Sequence, residues 1–287
     1  MQTDTFVTPG LVEEFTFPDG QPHLKVLQFP ENVTVRIRNP VDLFKVMQMI
    51  WIYDGRPLNL RILYLMAGRM DRALSENEPA TLHDVTSLLN IALWRWNGHC
   101  GVGVFCQHSA VTANRLAIPF EPDPSEDSFF DTGILNCILG YDSSLIKGGR
   151  YETRNVTHSL VYPDKGACDR FASGYKFPSW HQTAEPVVLS KKRELATGKI
   201  LGMEIVSGTP GECCIIVDDL CDGGATFIGA AKCLREAGAK FVGLVVAHGI
   251  FSKGLDVLFD NGIDHIHTSN SFKDWKAAPK LTVTQLL

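Results

Sequence analysis

The sequence predicts an α/β protein whose parallel sheets carry helices on both faces. Short apolar runs rich in β-branched residues alternate, along nearly all of the 287 residues, with stretches whose apolar residues recur at helical spacing. His108, Asp164, Lys191, Asp218 and His248 each fall within about two residues of the end of such a run, and open parallel sheets bind ligands at the carboxyl ends of their strands. With 45% hydrophobic and 21% charged residues the composition is that of an ordinary globular protein, and the length suits two doubly wound domains.

The first domain is expected over residues 1–128. "VTVRIR" (33–38) alternates apolar and polar residues as a half-buried strand does. Pro40 opens a helix in which Leu43, Val46, Met47, Ile50 and Trp51 keep helical spacing, and Met47, Met49 and Trp51 read as core. "LNLRILYLM" (58–66) is a strand and "GRMDRALSENEP" a polar loop. Thr81 and Asp84 are spaced to cap the helix "TLHDVTSLLNIALWRW". "GVGVFC" (101–106) is a short strand. Residues 117–130, rich in proline and acid, read as a loop at the domain boundary.

The second domain is expected over residues 129–287. Its strands are "SLVY" (159–162), "PVVL" (186–189), "CCIIV" (213–217) and "FVGLVVA" (241–247). The run "SKKRELATGK" after the second of these reads as a loop, and "TFIGAAKCLREAG" as a helix between the last two. No repeat of fixed short period and no low-complexity tract is present.

Bulk properties exclude several classes. The formal net charge of −5 gives no broad basic surface for nucleic acid. None of the eight cysteines forms a CxxC pair, which argues against zinc and for free thiols in a reducing cytoplasm. The first residues lack the basic start and apolar core of a signal peptide, and no apolar run approaches a membrane span.

The most informative stretch is "CCIIVDDLCDGGATF" (213–227), an apolar strand ending in acids, then two glycines, then a helix start. Gly223 and Gly224 let backbone N–H groups turn toward a phosphate, and the helix beginning near Thr226 adds its positive end and a hydroxyl. Asp218 and Asp219 would repel a phosphate but suit the hydroxyls of a sugar beside it. A plain surface turn would also account for the string. A P-loop ATPase needs G-x-x-x-x-G-K-[ST] and a dinucleotide fold needs G-x-G-x-x-G, and the chain contains neither.

This stretch resembles the phosphoribosyl diphosphate (PRPP) binding motif shared by phosphoribosyltransferases and PRPP synthetases. Further segments, in the order of the PRPP synthetase family, extend the resemblance over nearly the whole chain. "FPDGQ" (17–21) is similar to the family's adenine-holding segment, "GRMDR" (68–72) to its second ATP loop and "EPAT" (78–81) to the stretch that follows. "CQHSA" (106–110) and "YPDKGA" (162–167) are similar to its metal-side segments. "LSKKRE" (189–194) is similar to its flexible catalytic loop, and "AHGIFS" (247–252) and "TSNS" (268–271) to segments near the end. The resemblance implies two phosphoribosyltransferase-type, Rossmann-like domains, the first contributing to ATP binding. It implies transfer of the β,γ-diphosphate of Mg-ATP to the anomeric hydroxyl of ribose 5-phosphate, giving PRPP and AMP.

The roles implied are as follows. Lys191 and Arg193 are catalytic cations; Phe17, Asp19, Gln21, Arg69, Asp71 and His108 bind ATP; His108 and Asp164 meet Mg²⁺. Asp218, Asp219, Asp222, Gly223, Gly224, Ala225 and Thr226 hold the sugar phosphate. A homodimer or hexamer is implied because the family shares its ATP site between subunits.

The chain departs from the family pattern at Gln21, at Met70, at Cys106, where an acid normally stands two residues before the metal histidine, and at Ala167. Gly223 replaces a residue with a hydroxyl donor, leaving room for a more substituted phosphate. A phage branch resembling these enzymes acts on ADP-ribose, so ADP-ribose 1-diphosphate is the alternative product, in host cytoplasm and NAD-related metabolism. A non-catalytic regulatory homologue and a phosphoribosyltransferase are the other classes. The presence of Lys191 and Arg193 disfavours the first, and the N-terminal matches disfavour the second.

Overall fold

The computed structural model describes residues 5–94, 100–117, 119–121, 123–141, 146–147, 150–151, 158–174, 185–193 and 200–287. They form two compact units, Met1–Glu126 with Leu286–Leu287, and Asp127–Gln285.

The first unit opens with an antiparallel hairpin, β1 (Val12–Thr16) and β2 (Pro22–Val26). A parallel three-stranded sheet follows in the order β3 (Asn32–Ile37), β4 (Leu58–Leu65), β5 (Cys100–Val104). Helix α1 (Pro40–Tyr53) starts where the sequence places it. The Asn39 side chain accepts from the N–H groups of Val41 and Asp42, both at 2.9 Å, and Pro40 needs no partner there. Asp54, at φ 46°, ends it. Leu43, Val46, Met47, Met49 and Ile50 are buried against the sheet, but Trp51 is 42% exposed, so it is not core. Helix α2 (Thr81–Leu93) also departs from expectation. Thr81 lies inside the helix rather than capping it, and Ala80 at the cap position offers no side-chain oxygen. A short helix, α3 (Val111–Arg115), follows β5.

The acidic stretch 117–130 is not wholly a loop. Helix α4 (Ser125–Tyr141) begins within it, its first two residues belonging to the first unit and the rest to the second. Two short strands follow, β6 (Ile146–Lys147) and β7 (Arg150–Tyr151).

The remaining elements of the second unit are β8 (His158–Tyr162), α5 (Lys165–Gly174), β9 (Val187–Arg193), β10 (Ile200–Ser207), β11 (Cys213–Cys221), α6 (Ala225–Glu236), β12 (Phe241–Gly249), α7 (Asp256–Phe259), β13 (His265–Ser269) and β14 (Leu281–Thr284). Seven of the strands make one sheet in the order β10-β9-β8-β11-β12-β13-β14. Only the β9–β10 pair is antiparallel. All nine residues of β12 are buried, as expected of a strand flanked on both sides in a parallel sheet. Two strands run further than the sequence suggests. "SKKR" continues β9, paired with β10, and Asp218 and Asp219 lie within β11 rather than after it. Ladder pairing to β10 and β12 carries both strands past their apolar cores into polar residues.

His267 is 1% exposed in β13, with the Asn136 amide 3.3 Å from Nδ1 and the Thr284 hydroxyl 3.0 Å from Nε2. Burial lowers its pKa from the ordinary 6.5 to about 3. Below pH 6.5 the unfolded chain therefore binds a proton that the folded chain does not, and stability falls as the pH drops from 6.5 toward 3. Urea midpoints measured across this window should decline less steeply for His267→Gln than for the wild type. Equal slopes would show that His267 carries no such linkage.

Candidate active site

Four adjacent strands of the second unit, in the order β9-β8-β11-β12, end at one edge of the sheet, and Asp164, Lys191, Asp218 and His248 stand at or near those ends. Lys191 stands on β9, which runs beyond β8, where Val187 and Val188 pair with Val161 and Tyr162. Lys191 is half-buried and lies opposite Met203 of β10. Of Arg193, at the end of β9, only the backbone is described, and residues 194–199 lie outside the described residues.

Asp164 follows β8. Its Oδ1 accepts from the N–H of Ala167 at 2.9 Å, so the carboxylate caps helix α5, leaving Oδ2 for other partners. Among the described residues no group of three or more His, Cys, Asp or Glu stands ready to hold a metal ion.

Asp218 and Asp219 are adjacent near the end of β11, and Asp219 is 4% exposed. Two carboxylates in such a place repel each other. Burial, and then the charge of Asp219, push the Asp218 carboxyl well above the usual carboxylate range, while Arg170 opposes the rise. Arg170 belongs to α5. Its guanidinium lies 2.7 Å from Asp219 Oδ1 and 3.6 Å from Asp218 Oδ1. The sequence signal for this partner was an arginine in the second turn of the helix that Asp164 caps, and it was missed.

After β11 the chain turns through Asp222, Gly223 and Gly224 into α6. Gly224 has φ +78°, and a methyl group on it would lie 2.8 Å from Leu258 Cδ2, so the position excludes any side chain twice over. No side chain caps α6. The N–H groups of its first turn and the Thr226 hydroxyl are thus placed to meet an anion. The turn after β12 is tied to this one, since the N–H groups of Ile250 and Phe251 both donate to the Cys221 carbonyl, at 2.9 and 3.1 Å. His248 is buried in β12, with Nδ1 2.8 Å from the Ser271 hydroxyl, so it serves packing.

In the first unit, Arg69 and Asp71 follow β4, and His108 follows β5. The Phe105 N–H bonds to the Ile62 carbonyl at 2.9 Å, and Gly68 approaches the His108 side chain, so these two turns are neighbours. Arg69 is exposed, and Asp71 and His108 are half-buried. A Glu126 carboxylate oxygen accepts from the Cys106 N–H at 3.2 Å. Phe17, Asp19 and Gln21 form the tip of the β1–β2 hairpin. Phe17 N–H bonds to the Gln21 carbonyl, and Asp19 accepts from the Gln21 side-chain amide at 2.9 Å. Phe17 is 45% exposed and clusters with Phe15 and His23, leaving an aromatic surface open. The hairpin is fastened to α1 by the Glu14–Lys45 ion pair.

Comparison with known proteins bears on this arrangement. A family profile described as Phosphoribosyl synthetase-associated domain matches residues 169–277. A ribose-phosphate pyrophosphokinase of Mycoplasmopsis pulmonis is 25% identical over 84% of this chain and 68% of its own length. Another, of Pyrococcus abyssi, is 23% identical over 91% of this chain and 84% of its own. The chain is thus similar, along most of its length, to PRPP synthetases. The crystal structure of a phosphoribosylpyrophosphate synthetase from Mycobacterium smegmatis matches with a TM-score of 0.71 at 20% identity, covering 96% of this chain and 86% of that one. This likeness establishes the shared α/β fold.

Two substitutions probe the site's construction. Gly224→Ala should lower stability by about 2 kcal/mol, read by urea unfolding, from left-handed strain and the contact with Leu258. Arg170→Gln should cost a similar amount, about 2 kcal/mol at pH 7, because the buried carboxylates lose their counter-charge. An unchanged urea midpoint for either variant would remove the cause assigned to it.

Proposed function

We propose that this chain is a divergent member of the PRPP synthetase family and transfers the β,γ-diphosphate of Mg-ATP to the anomeric hydroxyl of ribose 5-phosphate, forming PRPP and AMP. The observation that carries this is one sheet edge holding an acid pair, an uncapped helix start behind two glycines, and a lysine two strands away. The acid pair accepts ribose 2- and 3-hydroxyls, and the loop Asp222–Thr226 donates to the 5-phosphate.

In the reaction the anomeric hydroxyl oxygen attacks the β-phosphorus and gives its proton to solvent, and the bond from that phosphorus to the α,β-bridging oxygen breaks, releasing AMP. Negative charge spreads over the oxygens of the transferred group, where Lys191 and Arg193 are the cations assigned to meet it. Phe17 stacks on adenine, Asp19 accepts from its amino group, and Gln21, which holds Asp19 in place, lies beside them. Arg69, Asp71 and His108 bind the rest of ATP. Mg²⁺ keeps mainly water and phosphate oxygens and needs few protein ligands; the family resemblance assigns it to His108 and Asp164, and Asp164 has one oxygen outside its helix cap. When bound, the ion neutralises the triphosphate.

The first unit is the ATP-contributing domain and the second the phosphoribosyltransferase-type domain in this reading. No helix among the described residues is long and apolar enough to cross a membrane, and we assign the protein to the cytoplasm. A homodimer or hexamer is expected, and its mass in solution would decide between them.

ADP-ribose is the second acceptor to consider, favoured by the absence of a side chain at Gly223 in the phosphate loop. AMP release from Mg-ATP should therefore be measured with ribose 5-phosphate and ADP-ribose in parallel. Turnover with ribose 5-phosphate is the expected result. Turnover with ADP-ribose alone would give the second acceptor, and silence with both would make the chain a non-catalytic homologue. Lys191→Ala should lower turnover at least about a hundredfold, with an unchanged thermal melt. Near-normal turnover would remove Lys191 from the chemistry.

A further inference from the structure

Beside the phosphate loop stands a cation that the family resemblance does not assign. Lys253 lies in the turn between β12 and α7. A methyl group on Gly223 would sit 3.5 Å from Lys253 Cε, 3.7 Å from Cδ and 3.9 Å from Cγ. The lysine stem thus runs along the open side of Gly223, and its ammonium is one bond beyond Cε. We infer that Lys253 is a specificity-determining contact to the phosphate of the sugar acceptor, supplied to the Asp222–Thr226 loop from the neighbouring turn. This rests on the sugar-phosphate reading of that loop.

Three features support the inference. The turn is held in place rather than loosely tethered. Besides the two bonds to the Cys221 carbonyl, the Gly254 N–H donates to the Phe251 carbonyl at 2.9 Å. Phe251 is 4% exposed and sits at φ +48°, a conformation costly for its side chain. Trp275 packs on it at 5.4 Å between ring centroids and donates to the Gly249 carbonyl at 2.7 Å, fixing the turn from behind.

The charge balance of the site also calls for a cation. Asp218, Asp219 and Asp222 all stand close to where an acceptor phosphate would bind, and the loop itself offers only neutral N–H and hydroxyl donors. Arg170 is committed to the acid pair. Among the described residues no carboxylate pairs with Lys253, not even Asp222 next to Gly223. An exposed ammonium whose stem runs along Gly223, just before an uncapped helix start, is the available partner for a phosphate dianion.

Finally, Gly223 and Lys253 are complementary. A methyl group at 223 would be in van der Waals contact with the lysine stem, which shows how closely the stem follows the loop. The loop has lost a hydroxyl donor at 223 and gained a full charge from the adjoining turn.

The test uses the full chain with Lys253→Gln and Lys253→Arg. Thermal melts with and without ribose 5-phosphate report binding without turnover. AMP release at saturating Mg-ATP and varied ribose 5-phosphate reports KM and kcat. Lys253→Gln should raise the KM for ribose 5-phosphate by about tenfold or more, as for loss of a charged hydrogen bond, with a much smaller change in kcat and in the KM for ATP. It should also shrink the thermal shift given by ribose 5-phosphate, and Lys253→Arg should restore both. An unchanged KM and an unchanged thermal shift would overturn the assignment, as would equal losses for both substrates. If the wild type releases no AMP, the proposed reaction fails, and the thermal shift alone decides Lys253. A shift lost in Lys253→Gln supports the contact; an equal shift, or none in the wild type, overturns it.

Discussion

Two carboxylates side by side at the buried end of a strand cannot stand without a counter-charge, and much of the second unit follows from this constraint. Asp218 and Asp219 are held between neighbouring parallel strands in a place that disfavours their ionisation. Arg170 makes the pair tenable, and it can do so because Asp164, by capping α5, sets the start of the helix that carries it. The cap and the counter-ion are one device. It leaves the acids able to accept hydrogen bonds from a neutral, hydroxyl-rich ligand.

The second structural theme is the joining of turns at the same sheet edge. Asp222–Thr226 and the turn after β12 share the Cys221 carbonyl as an anchor. Donors of the first turn and the side chains of the second thereby form a single surface. Packing of Phe251 and Trp275 beneath it turns a loop into a rigid element, which suits a site that must hold charge without reorganising.

The first unit solves different problems with the same economy of backbone. Its hairpin presents an aromatic ring at a tip stiffened by the Asp19–Gln21 bonds, and an ion pair to α1 fixes the hairpin's root. The Cys106 turn, which the sequence alone suggests has lost its negative charge, receives a carboxylate from Glu126, twenty residues downstream.

What was legible in the sequence was whatever local chemistry dictates. Apolar runs and helical periodicity gave most strands and helices. Asn39–Pro40 marked the start of α1, and the two glycines before Thr226 marked the turn into α6, because caps and left-handed positions are properties of a few consecutive residues. Partners distant in sequence were not legible. The continuation of β9 through "SKKR" and of β11 through the acid pair depends on ladder bonds to other strands, which override the polar residues' own preference for loops. Trp51 keeps helical spacing yet faces out, because the face a helix buries is chosen by what packs against it. Arg170 against the acids, Glu126 on Cys106 and Lys253 along Gly223 are charges placed by folding. Sequence by itself determined which chemical groups this protein carries and the order in which they come. Only the tertiary structure decided which charges meet, because electrostatic pairing depends on distance in space, and that is set by sheet order and helix packing.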